Sequence, residues 1–380
     1  MAEDAFSSRL GRVLRSLPGF VSGALTVSVL LGVVRWIGAP ARFACREDTG
    51  EALNQYLESA LSDAMEGVRT SERVYWIDRH ALAAPEPDPA CFGRTDDPAE
   101  LDFSAAEKLL DGQALYFSPN VTLVPGTPVR YYLDETILAI TWKQVLDGGV
   151  YTFSEVKIAH PSQFRRFLAG GEFGSEKLYV TTEMAQSVNA VVASSGDFYG
   201  YRRAGTLVYD GTVRRVDNGL VDTCYIDKNG DLLFTTRYDQ MDKEQSQQFV
   251  DQHEILFSLA FGPVLIRDGE VITPDSYAVG EINDCYPRAA LCQLGKLHYL
   301  LAVVNGEDAQ PQVPTIHRFA RNLRQSGITK AYALDGGQTA VIAMDGELIN
   351  AVLYGHQRKI SDIIYFATAI PRCDDDPSGP

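Results

Sequence analysis

Residues 332–350 read YALDGGQTAVIAMDGELIN and hold two Asp–Gly pairs, which begin at Asp335 and Asp345. An Asp–Gly pair between apolar runs indicates a tight β-hairpin turn, because both residues adopt positive φ at little cost. Asp345 fits this pattern. Asp335 is instead followed by a second glycine and two polar residues, Gly337–Thr339. The stretch therefore predicts a hairpin at Asp345 and a strand end at Asp335, beside a backbone free of side chains.

Other Asp–Gly pairs provide a comparison within the same chain. They begin at Asp111, Asp147, Asp210 and Asp268. Most lie between β-branched and aromatic runs, as in TLVYDGTVRRV over residues 206–216, and predict ordinary hairpin turns. Asp147 also begins an Asp–Gly–Gly triplet, so the triplet alone does not mark a site. A plain turn therefore stays open as the alternative reading of Asp335.

The residues before Asp335 predict a strand–helix–strand unit. Residues 313–337 read VPTIHRFARNLRQSGITKAYALDGG, with Pro314 at the predicted start of the helix and Gly327 at its end. The apolar face of this helix consists of Ile316, Phe319 and Leu323. Strands are predicted on either side, LHYLLAVVNG before the helix and AYAL after it. Asp335 then closes the unit at the C-terminal end of a strand, where polar site residues are common.

Short β-branched and aromatic runs, separated by turn residues, continue through most of the chain after residue 111. Two further helices are predicted, in HPSQFRRFLAGG (residues 160–171) and around Phe249. The fold class we predict is α+β. It consists of a β-rich mixed sheet domain with a few packed helices, preceded by an N-terminal apolar helix and a helical and linker segment.

The predicted organisation has five parts. They are a short cytoplasmic segment (1–18), a signal anchor or signal-peptide core (19–38), a helical stalk and Pro-rich linker (41–111), the β-rich domain (112–372) and an acidic tail (373–380). In the third part, residues 51–68 repeat apolar side chains at helical spacing. Residues 81–100 are rich in Pro, Asp and Ala and indicate a linker or irregular loop.

The N-terminus carries an apolar run, GFVSGALTVSVLLGVV, over residues 19–34, with three arginines before it. It is short for a membrane-spanning helix and long for the core of a signal peptide. Three interpretations stay open: an uncleaved signal anchor, a signal peptide cleaved after Ala41, and a buried helix of a soluble protein. The first two predict either a single-pass cell-membrane protein with its β-rich domain extracellular, or a secreted protein.

The charge of the chain limits its partners. With 50 acidic and 34 basic residues the net charge is −16, which argues against nucleic acid as a partner. A polyanionic ligand would need a local cluster of arginines. The six cysteines permit disulfides in an exported protein, but their spacing matches no zinc module and their pairing cannot be read from the sequence.

Several common chemistries leave no motif in the chain. It contains no HExxH, no P-loop, no GxGxxG and no GxSxG, and its six histidines are scattered. A metal-dependent phosphodiesterase would need Asp and His clusters that the sequence lacks. We therefore expect neither a metal nor a cofactor. What remains is a series of polar turns that are rich in Asp, Arg and Gly.

Five such segments occur in order: SSGDFYGYR (194–202), CYPRAALC (285–292), VVNGED (303–308), LDGGQT (334–339) and RKISDIIYF (358–366). Taken together, the chain resembles the phosphodiester glycosidase family over about Tyr151 to Pro371. No single segment is specific, but the five in this order are. The resemblance implies an exported or membrane-anchored hydrolase of a sugar-1-phosphate diester bond in a cell-surface or exogenous glycan.

The resemblance implies roles for particular residues. Asp335 would be the nucleophile or the electrostatic stabiliser of an oxocarbenium-like state, and Asp197 would position a sugar hydroxyl or water, or act as general base. Arg288 and Arg358 would grip the phosphate with their planar guanidinium groups. The implied substrate-binding residues are Ser195, Gly196, Asn305, Gly336, Gly337, Gln338, Thr339 and Arg358. Gly336 and Gly337 would let backbone N–H groups approach the phosphate.

Five positions depart from the family pattern. Ser195 replaces Asn, Tyr286 replaces Asn or a small polar residue, Asn305 replaces a frequent Asp, and Gln338–Thr339 replaces Gly–Ser. These changes keep open a second function, a non-catalytic envelope protein that binds a cell-surface glycan. The alternative to phosphate binding by Arg288 is a structural role in a salt bridge.

Overall fold

The computed structural model describes Pro87 and residues 91–216, 219–305 and 313–369. The predicted N-terminal apolar run, the predicted helix over 51–68 and the acidic tail lie outside these residues. Within the described part of the chain, no helix combines the length and the apolar character needed to cross a membrane.

Nineteen strands occur in the described residues, numbered here in chain order. They are β1 (Phe92–Thr95), β2 (Val129–Leu133), β3 (Ile137–Leu146), β4 (Gly149–Ile158), β5 (Phe164–Leu168), β6 (Val192–Ser195), β7 (Leu207–Tyr209), β8 (Thr212–Arg215), β9 (Thr223–Asp227), β10 (Leu232–Thr235), β11 (Ile255–Leu259), β12 (Val264–Arg267), β13 (Glu270–Val271), β14 (Arg288–Gly295), β15 (His298–Asn305), β16 (Ala331–Leu334), β17 (Ile342–Met344), β18 (Glu347–Leu348) and β19 (Asp362–Phe366). The four α-helices there are α1 (Glu107–Leu110), α2 (Thr181–Ser187), α3 (Lys243–Gln252) and α4 (Ile316–Gln325).

The strands form three sheets, as the β-rich α+β prediction requires. A nine-stranded sheet has the order β1-β2-β3-β4-β15-β14-β16-β12-β13, and two five-stranded sheets have the orders β10-β9-β11-β7-β8 and β18-β17-β6-β19-β5. Every pairing between the named strands is antiparallel. The predicted mixed sheet is therefore wrong. The large sheet also starts before the predicted boundary near residue 111, because β1 lies within the predicted linker and pairs with β2.

The strand–helix–strand unit forms as predicted, but its two strands are not neighbours. β14 lies between β15 and β16 and pairs with both, with Arg288 opposite Val304 and Ala289 opposite Leu334. Since β14 runs antiparallel to both, the start of β14 lies beside the ends of β15 and β16, along the edge of the sheet that the strand ends form. This edge brings the segments around residues 287, 305 and 335 together.

Helix α4 follows the predicted pattern closely. The side chain of Thr315 caps its start, Gly327 follows its end with φ of 94°, and the predicted apolar face is buried. The helix packs on one face of the large sheet with Tyr151 and Phe153. On the opposite face, Tyr299 and other buried side chains of this sheet contact the two smaller sheets. Successive residues of β14 alternate between the two cores, as the two-residue period of a strand requires.

The helix predicted in residues 160–171 is wrong. A short 3₁₀ turn at Pro161–Gln163 leads into strand β5. The tertiary environment decides this, because Phe164 stacks on Phe366 with 4.6 Å between ring centroids and packs against Tyr299. The helix predicted around Phe249 is confirmed as α3.

The Asp–Gly pairs divide into two groups by backbone conformation. At Asp111, Asp147, Asp210, Asp268 and Asp345, both the aspartate and the following glycine have positive φ. The last four join antiparallel neighbours, as predicted. Asp335 does not have positive φ, and Gly336 has φ of −106°. Asp335 is therefore not a hairpin turn residue, in contrast to Asp345.

Candidate active site

Asp335 follows β16 and is held on its backbone from the neighbouring sheet. Its N–H donates to the Gly196 carbonyl (3.3 Å), and its carbonyl accepts from the Ser195 hydroxyl (3.3 Å). The residue is only 4% exposed. Its Oδ1 accepts from Arg202 Nη2 at 3.3 Å, whereas Oδ2 is buried and has no hydrogen-bond partner among the described residues. An orphaned carboxylate oxygen of this kind is common where a ligand binds.

Asp335 lies in the wall of a cavity of about 140 Å³. The lining residues come from distant parts of the chain: Arg202, Phe261, Gly280, Glu281, Tyr286, Asp335, Gly336, Gly337, Gln338, Leu353, Tyr354 and Arg358. A larger cavity of about 260 Å³ lies elsewhere, beside β5, and contains none of the predicted site residues. The smaller cavity is the candidate site, because it combines a buried carboxylate with two guanidinium groups.

Two arginines supply the positive charge of this cavity. Arg202 pairs with Asp335 and lies over the ring of Phe261, 4.3 Å from its centroid. Arg358 lies over the rings of Phe198 and Tyr201, at 5.1 and 5.2 Å. These aromatic faces hold the guanidinium planes by cation–π attraction without using their N–H groups. The Nη1 group of Arg202 is buried and has no partner among the described residues.

The environment of Asp335 shifts its titration. Burial raises the pKa of Asp335 to about 6, although the Arg202 charge, the nearby Thr339 hydroxyl and the Arg358 charge oppose the shift. The carboxyl group is therefore ionised at neutral pH but becomes protonated in mild acid. Strongly perturbed carboxyl groups in cavities are candidates for catalysis.

Asp197 does not line the cavity. It is completely buried, with Oδ1 bound to Arg166 Nη2 and Oδ2 accepting from the Ala260 N–H at 2.6 Å. Arg166 also pairs with Asp362, at 2.9 Å. Both oxygens of Asp197 are thus occupied, and a role in contacting sugar or water does not fit this geometry. Asp197 belongs instead to a buried ionic cluster beneath Asp335.

The buried cluster explains why Gly196 is needed beside Asp335, where Gly196 and Ser195 support the Asp335 backbone. A Cβ atom on Gly196 would lie 1.8 Å from Asp362 Oδ2, so only glycine lets the chain pass the cluster. The carbonyl of the same glycine then accepts from the Asp335 N–H. Burial, with the charge of Asp197 adding and Arg166 opposing, raises the pKa of Asp362 to about 7. Gly196 and Ser195 position Asp335 and do not line the cavity.

Arg288 is placed differently from the prediction. Its guanidinium donates to four backbone carbonyl groups, those of Pro314, Gly280, Glu281 and Asp284. The side chain is buried and does not line the cavity. The N–H groups of Arg288 already hold the segment 280–284 in place. Its role is therefore structural, and no pair of donors is left for phosphate.

The segment after Asp335 forms a tight 3₁₀ turn over Gly337–Thr339. Gly337 donates its N–H to the Pro287 carbonyl (3.0 Å), which removes one donor from the predicted phosphate nest. A Cβ atom on Gly336 would lie 2.6 Å from the same carbonyl oxygen, so the close approach needs glycine. Gln338 lines the cavity, while the Thr339 hydroxyl donates to the Gly336 carbonyl and is buried.

Asn305 ends β15 opposite Val150, at the sheet edge where β14 begins. Among the described residues, no group of His, Cys, Asp and Glu side chains is arranged to hold a metal ion. Cys91, Cys224, Cys285 and Cys292 form no disulfides with one another.

Residues 188–367 match the family model described as phosphodiester glycosidase. This match covers just under half of the chain, and over this region the sequence resembles the phosphodiester glycosidase family. The match includes every residue that carries the candidate site, among them Arg202, Asp335 and Arg358. It also includes Asp197 and Asp362 of the buried cluster, whereas Arg166 lies before it.

The individual proteins that resemble this chain are distant. The chain is 27% identical over 107 residues to the SPbeta prophage-derived uncharacterized protein YomE of Bacillus subtilis, a match over 28% of this chain and 17% of that protein. A hypothetical protein from Synechocystis shares the fold, with a TM-score of 0.51, 13% identity and coverage of 63% of this chain and 64% of that one. The chain thus spans less than two thirds of each. The catalytic domain of zebrafish N-acetylglucosamine-1-phosphodiester alpha-N-acetylglucosaminidase, auto-inhibited by its pro-peptide, gives a TM-score of 0.48, with 18% identity and coverage of 65% and 86%.

Sequence reasoning missed Arg202 and Arg166. Arg202 lies in the first of the five quoted segments, and its position in the same polar turn as Gly196 was an available signal. Arg166 lies in the stretch that was predicted to be helical, where no pattern indicated a buried cation.

Proposed function

We propose that this chain is a hydrolase that cleaves a sugar-1-phosphate diester in a cell-surface or exogenous glycan. One observation carries the proposal: the Asp335 carboxylate, with one unpartnered oxygen, faces a cavity that also contains the guanidinium groups of Arg202 and Arg358. A carboxylate alone would repel a phosphodiester, so the adjacent cations are what the substrate requires.

The chemistry follows from these charges. The bond between the anomeric carbon and the phosphate oxygen breaks, and positive charge develops on the sugar ring in an oxocarbenium-like state. Asp335 stabilises or attacks this carbon. The phosphate leaves with the bonding electron pair as a monoester anion, which needs little help from a general acid. Water completes the reaction, since its hydroxyl adds to the anomeric carbon and its other proton is released.

The sequence assigned the phosphate role to Arg288 and Arg358; in our proposal Arg358 keeps this role and Arg202 replaces Arg288. Arg202 can present its free Nη1 donor while Nη2 stays on Asp335. Arg358 is exposed at the rim and makes no ion pair with a described carboxylate. Planar guanidinium groups bind phosphate oxygens in pairs, so the two arginines form a clamp around the leaving group.

The direct test is an assay of the purified chain against a set of sugar-1-phosphate diesters, with release of free sugar as readout. We expect catalytic turnover that disappears in Asp335→Asn. Binding of the diesters without release of sugar would favour the alternative function, a non-catalytic protein that binds a glycan. Neither binding nor turnover with any diester would remove the proposal.

We also propose that residues 19–38 export the chain, either as a signal anchor that leaves the enzyme on the outer face of the cell membrane or as a signal peptide. The apolar run and its preceding arginines support this.

A further inference from the structure

Tyr286 forms a wall of the candidate site that directly faces Gly337. A Cβ atom on Gly337 would lie only 2.7 Å from Cε1 of the Tyr286 ring, so the ring rests on the backbone of the 3₁₀ turn. The Tyr286 N–H donates to the Pro314 carbonyl (3.3 Å), which fixes the backbone beneath the ring. The residue is 37% exposed and lines the cavity, so part of its ring is available to a ligand.

A second tyrosine, Tyr354, lines the same cavity. It is 74% exposed and adopts a φ of 63°, an unusual conformation for a residue with a side chain. The carbonyl of Tyr354 accepts from His356 Nδ1 (2.9 Å), because a carbonyl cannot donate. Nε2 of the neutral imidazole is then an acceptor and receives the Gln338 amide at 3.2 Å. These bonds tie the Tyr354 turn to the turn that follows Asp335.

The size and lining of the cavity indicate the kind of ligand. A volume of about 140 Å³ corresponds to about five water molecules at ~30 Å³ each, which suits a single sugar ring. Aromatic side chains bind the apolar C–H faces of such rings, and Glu281 and Gln338 at the cavity wall offer hydrogen bonds to hydroxyl groups.

We propose that Tyr286 and Tyr354 form the sugar subsite, and that Tyr286 excludes sugars with a substituent larger than hydroxyl at C2. This inference rests on the proposed function, which places the anomeric carbon at Asp335. In a pyranose, that carbon has two ring neighbours, the ring oxygen and C2, and only C2 carries a substituent. Gly337 follows Asp335 by two residues and the Tyr286 ring fills the space above it, so the proposal places the C2 substituent against that ring.

The test compares methyl phosphodiesters of glucose-1-phosphate and of N-acetylglucosamine-1-phosphate, each as both anomers. For the wild-type chain we expect kcat/KM to favour the glucosyl diester at least tenfold. Tyr286→Asn should reduce this preference to within threefold, because the space over Gly337 opens. Tyr286→Phe, which keeps the ring, should retain the preference, as should Tyr238→Asn, a change of an exposed tyrosine elsewhere. An active wild type without a preference, or an unchanged preference in Tyr286→Asn, overturns the inference.

A binding measurement separates this inference from the proposed function. If the wild-type chain hydrolyses neither diester, the proposed function fails, and saturation-transfer NMR with glucose-1-phosphate and N-acetylglucosamine-1-phosphate tests the subsite alone. We expect transfer to the first sugar in the wild type and to both sugars in Tyr286→Asn. Equal transfer to both sugars in the wild type, or transfer to neither, would overturn the subsite.

Discussion

Arg202 Nη2 lies 3.3 Å from Asp335 Oδ1, while the second oxygen of Asp335 and the second Nη group of Arg202 are both buried and without partners among the described residues. Each group therefore has one bond made and one bond to make. A substrate that brings a phosphate oxygen to the arginine and an electron-poor carbon to the carboxylate completes both. This shared incompleteness distinguishes the pair from a structural salt bridge, whose groups are satisfied by the protein.

Replacement of Asp335 by Asn should abolish catalysis without loss of the fold. The amide cannot stabilise positive charge on the anomeric carbon, and such a loss lowers kcat by at least about 100-fold, on the order of 3 kcal/mol. Asp345→Asn is the matched control, because Asp345 has φ of 52° in an ordinary hairpin and Asn suits that conformation equally well. Equal kcat values in the two variants would mean that Asp335 has no catalytic role.

The stability difference between Asp335→Asn and the wild type should increase with pH. The folded-state pKa of Asp335 is about 6, against an ordinary 3.8, so the folded state retains the proton more strongly. The contribution of Asp335 to wild-type stability is then highest below pH 4 and falls as the pH rises towards 6, by up to about 3 kcal/mol for two pKa units. The variant lacks this loss. Urea unfolding of both proteins at pH 4 and pH 7.5 measures the difference, and a pH-independent difference would contradict the raised pKa of the buried carboxyl group.

The activity should decrease in acid as the Asp335 carboxylate becomes protonated, which gives an acid limb in the pH–rate profile. Since the ionised form is the active one, kcat/KM should fall about tenfold per pH unit below pH 6. Arg202→Gln removes a charge that lowers the pKa of Asp335, so in this variant the limb should move to higher pH. A pH–rate profile of both proteins tests this expectation. If the acid limb of Arg202→Gln stays at the wild-type pH, a group other than Asp335 controls the limb.

Arg288→Lys should lower stability, whereas Arg358→Lys should weaken substrate binding. The first variant loses charge-assisted bonds to buried carbonyl groups, so its free energy of unfolding should fall by about 2 kcal/mol, with KM nearly unchanged. The second should raise KM about tenfold and leave the unfolding unchanged, because Lys lacks the planar fork. Urea unfolding and steady-state kinetics of both variants provide the comparison. A higher KM in Arg288→Lys with normal stability would return the phosphate role to Arg288.

A reporter fused after Ala44 should behave as exported, because the apolar run of residues 19–34 precedes it. Alkaline phosphatase, active only outside the cytoplasm, serves as the reporter. A fusion that starts at Ala44 without the preceding residues is the control and should be inactive. Cytoplasmic behaviour of the longer fusion would refute export.

Local pattern and long-range packing explain what the sequence could and could not predict. Helix α4, the hairpins at Asp–Gly pairs and the position of Asp335 at a strand end depend on neighbours in the chain, and the sequence predicted them. The partner of Asp335 was not predictable in this way, because Arg202 is 133 residues away and meets it only after two sheets pack. Arg288 was misplaced for a related reason: a sequence motif shows the residue type but not whether its donors are already satisfied.

The antiparallel arrangement around β14 was missed for a topological reason. A strand–helix–strand pattern suggests two adjacent parallel strands, but β14 precedes both strands in the chain and lies between them. Strand β5 was misread because Pro161 and Gly170 stand where a helix would start and stop. The ionic cluster around Arg166 and the packing of Phe164 favour the strand.

The position of β14 also determines when the site can exist during synthesis. β14 and β15 emerge from the ribosome as a hairpin, but the second edge of β14 stays open until β16 has followed. That edge carries the apolar residues Ala289–Cys292, and an exposed apolar strand edge is a template for aggregation. The strand that covers it is the one that delivers Asp335. A chain that stops after Asn305 should therefore precipitate or be degraded, because the folding step that covers β14 is also the one that places Asp335 in the wall of the candidate site.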